Sequence, residues 1–325
     1  MPSETQPPQI QPPQIQPPET QPSFRAGFAC LVGRPNTGKS TLTNALVGHK
    51  VAITSSRPQT TRHAIRGVVH RPDGQLVLVD TPGLHRPRTL LGQRLNDLVR
   101  GTWSQVDVIG VCLPCDQRIG PGDRFLVGEL ARVRRRPTFA LATKTDLVSS
   151  DRLAEHLVAV DALGEAAGIA WRHIVPVSAT GLHQIGLLRD LLVAELPEGP
   201  ALYPEGQLTD EPEETLVAEL IREAALEDVR DELPHSIAVV VEGMRRREDR
   251  PDDAPLLDVY AHLYVERDSQ KPIVIGVQGR RLKRIGTQAR KQIELLLGTP
   301  VYLDLRVKIA KDWQRDPRQL RRLGF

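Results

Sequence analysis

Residues 33–41 read GRPNTGKST and follow directly on the apolar run Phe28-Ala29-Cys30-Leu31-Val32. The stretch satisfies G-x-x-x-x-G-K-[ST], with Gly33, Gly38, Lys39 and Ser40 in the fixed places, Arg34, Pro35, Asn36 and Thr37 between them, and Thr41 behind. Its glycines let successive backbone N–H groups turn inward onto phosphate oxygens, and a helix opening at Lys39 adds the positive end of its dipole. In such a cradle Lys39 reaches the β- and γ-phosphates, and the Ser40 hydroxyl ligates magnesium. The strand before the loop and the helix after it make the stretch the first unit of an α/β fold.

Working outward, short β-rich runs alternate with amphipathic stretches from Arg25 to about Pro200. Phe28–Val32, Ile65–His70, Leu76–Asp80, Val106–Leu113, Thr138–Ala142 and His173–Val177 read as strands. Lys39–Val47, Leu91–Gln105, Pro121–Arg132 and Asp151–Ala167 carry helical spacing. That alternation implies an open, mostly parallel sheet with helices on both faces.

Two further motifs end predicted strands. DTPG, from Asp80 through Thr81 and Pro82 to Gly83, puts a carboxylate where it can hold a magnesium shell and a glycine N–H where it can sense a γ-phosphate. TKTD, from Thr143 through Lys144 and Thr145 to Asp146, follows Phe139-Ala140-Leu141-Ala142. A carboxylate at Asp146 can accept both the N1 and N2 protons of guanine, a donor pair adenine lacks, so the nucleotide expected is GTP. Val177-Ser178-Ala179 ends the next strand and can offer a backbone N–H to guanine O6.

The stretch at 199–214, GPALYPEGQLTDEPEE, is rich in Pro, Gly and acid and reads as an interdomain linker. Beyond it Thr215–Glu232 has Val217, Leu220, Ile221 and Ala224 on one helical face. Strand-like runs at Ser236–Glu242 and Leu256–Glu266 follow, then a helical turn at KPIVIG, a helix over Arg280–Leu297 and a strand over Val301–Ile309. The expected order is helix, strand, strand, helix, helix, strand, an α+β domain. The expected division is a tail at 1–24, a first domain at 25–200, a linker at 201–214 and a second domain at 215–325.

A chain of 325 residues suits two domains. No run approaches the roughly eighteen apolar residues of a membrane span, and the N-terminus lacks a secretion pattern, so a cytoplasmic protein is expected. The three cysteines are too few for a disulfide framework. Cys112-Leu113-Pro114-Cys115 is a CxxC without a second ligand pair, and Cys30 reads as a small buried residue. The first 22 residues, near-repeats of IQPPQ, have no core to bury and are expected to be disordered or polyproline-like.

Charge is uneven: 271–325 carries 14 Lys and Arg against 4 Asp and Glu, a local +10 in a chain of net +3. A basic end in a near-neutral protein points to a polyanion, nucleic acid or an acidic membrane surface. Within it Gly276-Val277-Gln278-Gly279 lies between two helical segments, where paired glycines let a single strand approach closely. Arg280, Arg281, Lys283, Arg284, Arg290 and Lys291 follow, beside an expected apolar groove of Ile273, Ile275, Leu282 and Ile285. Trp313, in the same basic end, is read as a packing residue or a stacking platform for a base.

The order GRPNTGKST, PQTTR, DTPG, TKTD, VSA resembles the translation-factor-related class of GTPases. RPQTTRHAIRGV, DTPGLH, IGPGD, YPEGQLTD, VERDSQKPIVIG and VKIAKDWQRD together resemble the Era family, from about Arg25 to the last residue. The resemblance implies a P-loop GTPase domain followed by an α+β type II KH domain. It implies a GTP-hydrolysing switch that uses GTP/GDP and Mg2+, binds the 3′ end of small-subunit (16S) ribosomal RNA and assists 30S subunit assembly. A monomer is expected, with peripheral attachment to the inner face of the cell membrane a secondary reading. An RNA-binding assembly module with weak or lost GTPase is the alternative.

Carried onto this chain, the resemblance gives nucleotide contacts at Gly33–Thr41, Asp80–Leu84, Thr143–Asp146, Ser178 and Ala179. Magnesium falls to Ser40, Asp80 and Thr61, the last in the switch loop containing Thr60 and Thr61. Lys39, Thr61, Gly83 and Asn36 take the catalytic roles, and Gly276–Gly279 with Arg280, Arg281, Lys283 and Arg284 the RNA. Four positions depart from pattern. Thr143 replaces the Asn that ties the guanine loop to the phosphate loop, and Thr37 replaces a Val. Leu84 stands where Ras-like enzymes place a water-orienting Gln, and Val277-Gln278 brings no basic residue into GxxG. With no Gln, Asn36 is read either as a potassium ligand, as in relatives with the same GxPN start, or as a turn residue.

Overall fold

The computed structural model describes residues 23–55, 60–84, 87, 89–133, 136–227, 236–251 and 253–325. The tail expected at 1–24 lies outside them apart from Ser23 and Phe24.

The strands β1 (Arg25–Val32), β2 (Ile65–Arg71), β3 (Gly74–Asp80), β4 (Val108–Pro114), β5 (Thr138–Thr143) and β6 (His173–Pro176) form one sheet in the order β2-β3-β1-β4-β5-β6. Neighbours from β3 to β6 pair in parallel, and only the hairpin partner β2 runs antiparallel. Alternation along β1 sorts its side chains between two cores. Ala29 and Leu31 meet Leu42 and Leu46 of α1 (Lys39–Val47) and Leu188 and Leu192 of α5 (Ile185–Ala194). Cys30 and Val32 meet Val99 and Trp103 of α2 (Leu90–Gln105), Leu126 of α3 (Pro121–Leu130) and Val160 of α4 (Ser150–Ala167). Both faces are covered, and the ends of β1, β3 and β5 open on one edge, the usual binding edge of such sheets.

The second sheet, β7 (Ala238–Arg246), β8 (Leu257–Val265) and β9 (Val301–Ile309), pairs antiparallel then parallel. One face is covered by α6 (Glu213–Glu227), α7 (Gln270–Ile275) and α8 (Arg280–Leu297), through Val217, Ile221, Val274, Ile285 and Ile293 on Val259, Ala261 and Leu263. This is the expected order of elements. Beyond it comes an additional helix, α9 (Pro317–Arg322), in which Asp316 caps the Arg318 N–H and Pro317 opens the first turn.

Several readings are corrected. Helix α6 starts at Glu213, not Thr215, and residues 228–232 of its expected end lie outside the described residues. Ile285 is fully buried in the second core and lines no groove, because α8 turns that face onto the sheet. Trp313 is 0 % exposed, with its indole N–H donated to the Ser236 carbonyl at 3.0 Å, so it offers no face to a base. The stretch expected to be a linker keeps that place in the chain and runs against the first sheet: Val68 N–H of the edge strand β2 bonds Leu208 O at 2.8 Å, and the Gln75 side chain on β3 accepts from the Leu202 and Tyr203 N–H groups.

The two halves share a third apolar cluster, in which Leu91 and Leu95 of α2 pack with Ala238, Tyr264, Trp313, Leu320 and Leu323. Phe325 stacks between Trp313 and His63, and the Arg62 guanidinium lies 5.5 Å over the Trp313 ring. Trp313→Ala removes the centre of this cluster and is expected to lower stability by about 3–5 kcal/mol, read from urea unfolding of the full chain.

Candidate active site

The phosphate loop takes its shape from backbone conformations its sequence permits. Gly38 (φ 91°) and Asn36 (φ 63°) both lie in the left-handed region, which Gly and Asn adopt most readily. Lys39 is buried and donates its ammonium to the carbonyls of Gly33 and Arg34, at 3.3 and 3.0 Å. Burial pushes its pKa down, against the opposing pull of Asp80. A Cβ on Gly83 would come within 2.7 Å of Pro35 N, so DTPG lies directly against the loop.

Asp80, at the end of β3, is fully buried. Its Oδ2 accepts the Ser40 hydroxyl at 2.7 Å and the Thr61 hydroxyl at 3.2 Å, and those two hydroxyls lie 2.9 Å apart. Its other oxygen, Oδ1, is buried without a hydrogen bond. Burial pushes the Asp80 carboxyl up, opposed by Ser40, Lys39 and Thr61. An orphaned carboxylate oxygen beside two hydroxyls is the kind of oxygen-donor set a small divalent cation takes. The cleft above it is lined by Pro35, Asn36, Lys39, Thr54, Thr61 and Gly83.

Thr143 is buried, and its hydroxyl donates to the Thr37 carbonyl at 2.7 Å, so the tie between guanine loop and phosphate loop is made by a threonine. Thr37 is itself buried, with its hydroxyl on Arg34 O at 3.0 Å. Ser178 donates to Asp146 Oδ1 at 2.6 Å, joining the Val177-Ser178-Ala179 loop to TKTD, while Lys144 pairs with Asp116. Thr81 fastens DTPG to β1 by donating to Leu31 O.

The side chains of two expected nucleotide residues point elsewhere. Leu84 is buried in the core shared with Val99 and Trp103, which leaves no polar group at the water-orienting position after DTPG. Arg34 turns to Asp123 at 2.7 Å and Gln117 at 3.0 Å. This explains IGPGD: Asp123 accepts both Arg34 and the Gly120 N–H, bracing the phosphate loop from α3. The cysteines are packing residues, burial pushing Cys112 up to about 12 and Cys115 up to about 11.

In the second half Gly276 (φ 72°), Gln278 (φ 52°) and Gly279 (φ 75°) make a sharp turn between α7 and α8. Val277 is 72 % exposed at its tip, Ile273 is exposed beside it, and Arg280, Lys283 and Arg284 are exposed on the first turns of α8. Arg281 braces the turn by donating to Ile273 O at 2.6 Å.

Sequence reasoning missed what holds the switch segment. Asn44 fixes its start through Val51 and Ala52, and Ile53 enters the second core. Glu223 accepts Thr54 N–H at 2.7 Å and pairs with Lys50. Arg222 donates to Thr60 O, and Arg62 to Ile237 O at 2.6 Å. Residues 57–59 of the RPQTTR stretch lie outside the described residues.

A phosphate loop, an oxygen-donor cluster and a guanine-type carboxylate on a mostly parallel sheet define a P-loop nucleotide switch, here joined to a helix–strand–strand–helix–helix–strand unit carrying GxxG. The family model described as "50S ribosome-binding GTPase" matches residues 28–144, and that of the KH domain matches 232–314. GTPase Era of Streptomyces coelicolor is 71% identical over 301 residues, 93% of this chain and 95% of that protein. GTPase Era of Mycolicibacterium smegmatis is 67% identical over 304 residues, 93% and 99% of the two chains. Among solved structures, Era in complex with MgGDPNP and nucleotides 1506-1542 of 16S ribosomal RNA matches with TM-score 0.87 at 34% identity, covering 93% of this chain and 99% of that one. A point variant of Aquifex aeolicus Era bound to GDP.AlF4- matches with TM-score 0.86 at 34% identity, over 92% and 99%. The chain belongs to the Era family of GTPases.

Thr143→Val should leave the buried Thr37 carbonyl without its partner, a loss of about 1–3 kcal/mol that appears as roughly tenfold weaker GDP binding in a fluorescence titration.

Proposed function

We propose that this GTPase couples its nucleotide state to binding of the 3′ end of 16S ribosomal RNA and thereby assists assembly of the 30S subunit. The carrying observation is the convergence of Ser40, Thr61 and Asp80 on one buried point: a switch-loop hydroxyl meets the phosphate-loop hydroxyl and the DTPG carboxylate. The proposed division of labour is a GTPase domain at 25–200, a linker at 201–214 and an RNA-binding domain at 215–325.

In this reading the cradle of Gly33–Thr41 holds the phosphates and Lys39 leaves its loop carbonyls for the β- and γ-oxygens. Ser40, Asp80 and Thr61 hold Mg2+, which when bound neutralises phosphate charge. The Gly83 N–H senses the γ-phosphate. Asp146 reads guanine N1 and N2. Because the Ser178 N–H donates to His183 O, the amide offered to guanine O6 is that of Ala179.

Leu84 cannot orient water, so hydrolysis draws on charge instead, and potassium at Asn36 is the accompanying proposal. Its test is a hydrolysis rate higher in potassium than in sodium; equal rates remove it.

RNA binding is assigned to Gly276–Gly279 and the exposed Arg280, Lys283 and Arg284, with Arg281 supporting the turn. The small subunit is preferred to the large one because the relative bound to 16S RNA matches over both domains, whereas the family model naming the large subunit covers only 28–144. Among the described residues no helix is long and apolar enough to cross a membrane. Peripheral attachment to the inner face of the cell membrane is a secondary proposal, resting on the basic charge of 271–325.

The test changes the base. Asp146→Asn offers an amide donor where guanine also presents one, but complements the 2-oxo group of xanthine. The variant should lose GTP turnover and gain XTP turnover; undiminished GTP turnover would overturn the assignment. For the second domain, affinity of the full chain for single-stranded RNA should fall steeply with salt, as release of counterions by several basic contacts requires.

A further inference from the structure

Helix α6 buries three charged residues, Glu219, Arg222 and Glu223, beside the apolar face that its periodicity shows. Arg222 is only 1 % exposed. Its guanidinium grips Glu219 through Nε at 2.8 Å and Nη2 at 2.5 Å, and Nη2 also donates to the Thr60 carbonyl. The next residue is Thr61, whose hydroxyl lies against Ser40 and Asp80. On its other side Arg62 is held by Ile237 O and the Trp313 ring. Both backbone neighbours of the switch threonine are thus fastened to the C-terminal half.

Packing alone does not call for a guanidinium here. Burying one carries a desolvation cost that apolar residues of similar volume avoid, so its contribution is directional. We propose that Arg222, on the first helix of the C-terminal domain, is a positioning residue for GTP hydrolysis: it fixes the Thr60 carbonyl so that the Thr61 hydroxyl stays with Ser40 and Asp80. Glu219 holds the guanidinium in register. Burial alone would push the Glu219 carboxyl up, but Arg222, helped by His63 and Arg62, holds it below the usual carboxylate range. A rigid-body shift of α6 relative to the sheet moves Thr60 and withdraws Thr61, giving the C-terminal domain a direct route to the reaction rate.

This inference rests on the reading of Thr61 as the ligand of the GTP state. The test uses the full chain and four proteins: wild type, Thr61→Ala, Arg222→Lys, and the double variant Arg222→Met/Glu219→Gln, which removes both charges of the pair together. Single-turnover GTP hydrolysis and affinity for a fluorescent GDP analogue are measured together, with thermal melting as a fold check. The double variant should hydrolyse about 10- to 100-fold more slowly, the usual loss when a reacting constellation slips by an ångström. Its GDP affinity should stay within about threefold of wild type, since GDP lacks the γ-phosphate state that Thr61 serves. Lysine at 222 should recover part of the rate by donating to Thr60 O. A folded double variant with wild-type hydrolysis, or one in which rate and GDP affinity fall together, overturns the role of Arg222. Thr61→Ala hydrolysing at the full rate sinks instead the reading of Thr61 on which it depends.

Discussion

The hydroxyl of Thr61 reaches Ser40 and Asp80 because the backbone that carries it is held from behind by another domain. Arg222 takes the carbonyl on one side, and Arg62 anchors to Ile237 O on the other. The nucleotide edge and the switch segment are therefore one mechanical unit, and its outer wall is the first helix and the C-terminal end of the RNA-binding half. Interdomain packing in this molecule is not a neutral seam: it passes within one residue of the Ser40–Thr61–Asp80 cluster.

The cost of this arrangement is buried charge. Lys39, Asp80, Glu219 and Arg222 all lie below the surface, and each is tolerable only while its partners stay in place. Lys39 rests on loop carbonyls and Asp80 keeps one oxygen unpaired, and under the proposed function nucleotide and cation supply the remaining partners. Sites satisfied in this incomplete way respond strongly to ligands, because binding relieves a desolvation penalty as well as forming contacts. The Arg34–Asp123 pair braces the cradle from the opposite side.

Much of the fold is legible in the sequence because it is local. The phosphate loop, DTPG and TKTD each end a strand whose apolar run is unmistakable, and the strands alternate with helices of plain amphipathic spacing. The element order of the second half is legible for the same reason, and the family resemblance sharpens it. What escapes is non-local. Periodicity gives α6 an apolar face but has no means of showing that Glu219, Arg222 and Glu223 are covered by a segment about 160 residues earlier. Trp313 reads as an aromatic in a basic tail, although its neighbours Arg62 and Phe325 come from two different parts of the chain. Ile285 suits a groove on paper because a short run cannot reveal which side of a helix meets the sheet. Arg34 has the chemistry of a phosphate ligand, and only the fold brings Asp123 of IGPGD beside it.

The central claim is that the nucleotide site and the GxxG face are energetically linked through the switch segment. The most direct measurement is the affinity of the full chain for single-stranded RNA of the 16S 3′ end, with a non-hydrolysable GTP analogue against GDP, at one fixed salt concentration. A coupling of about 1–3 kcal/mol predicts affinities that differ by roughly 5- to 150-fold. Equal affinities in the two nucleotide states would contradict the account.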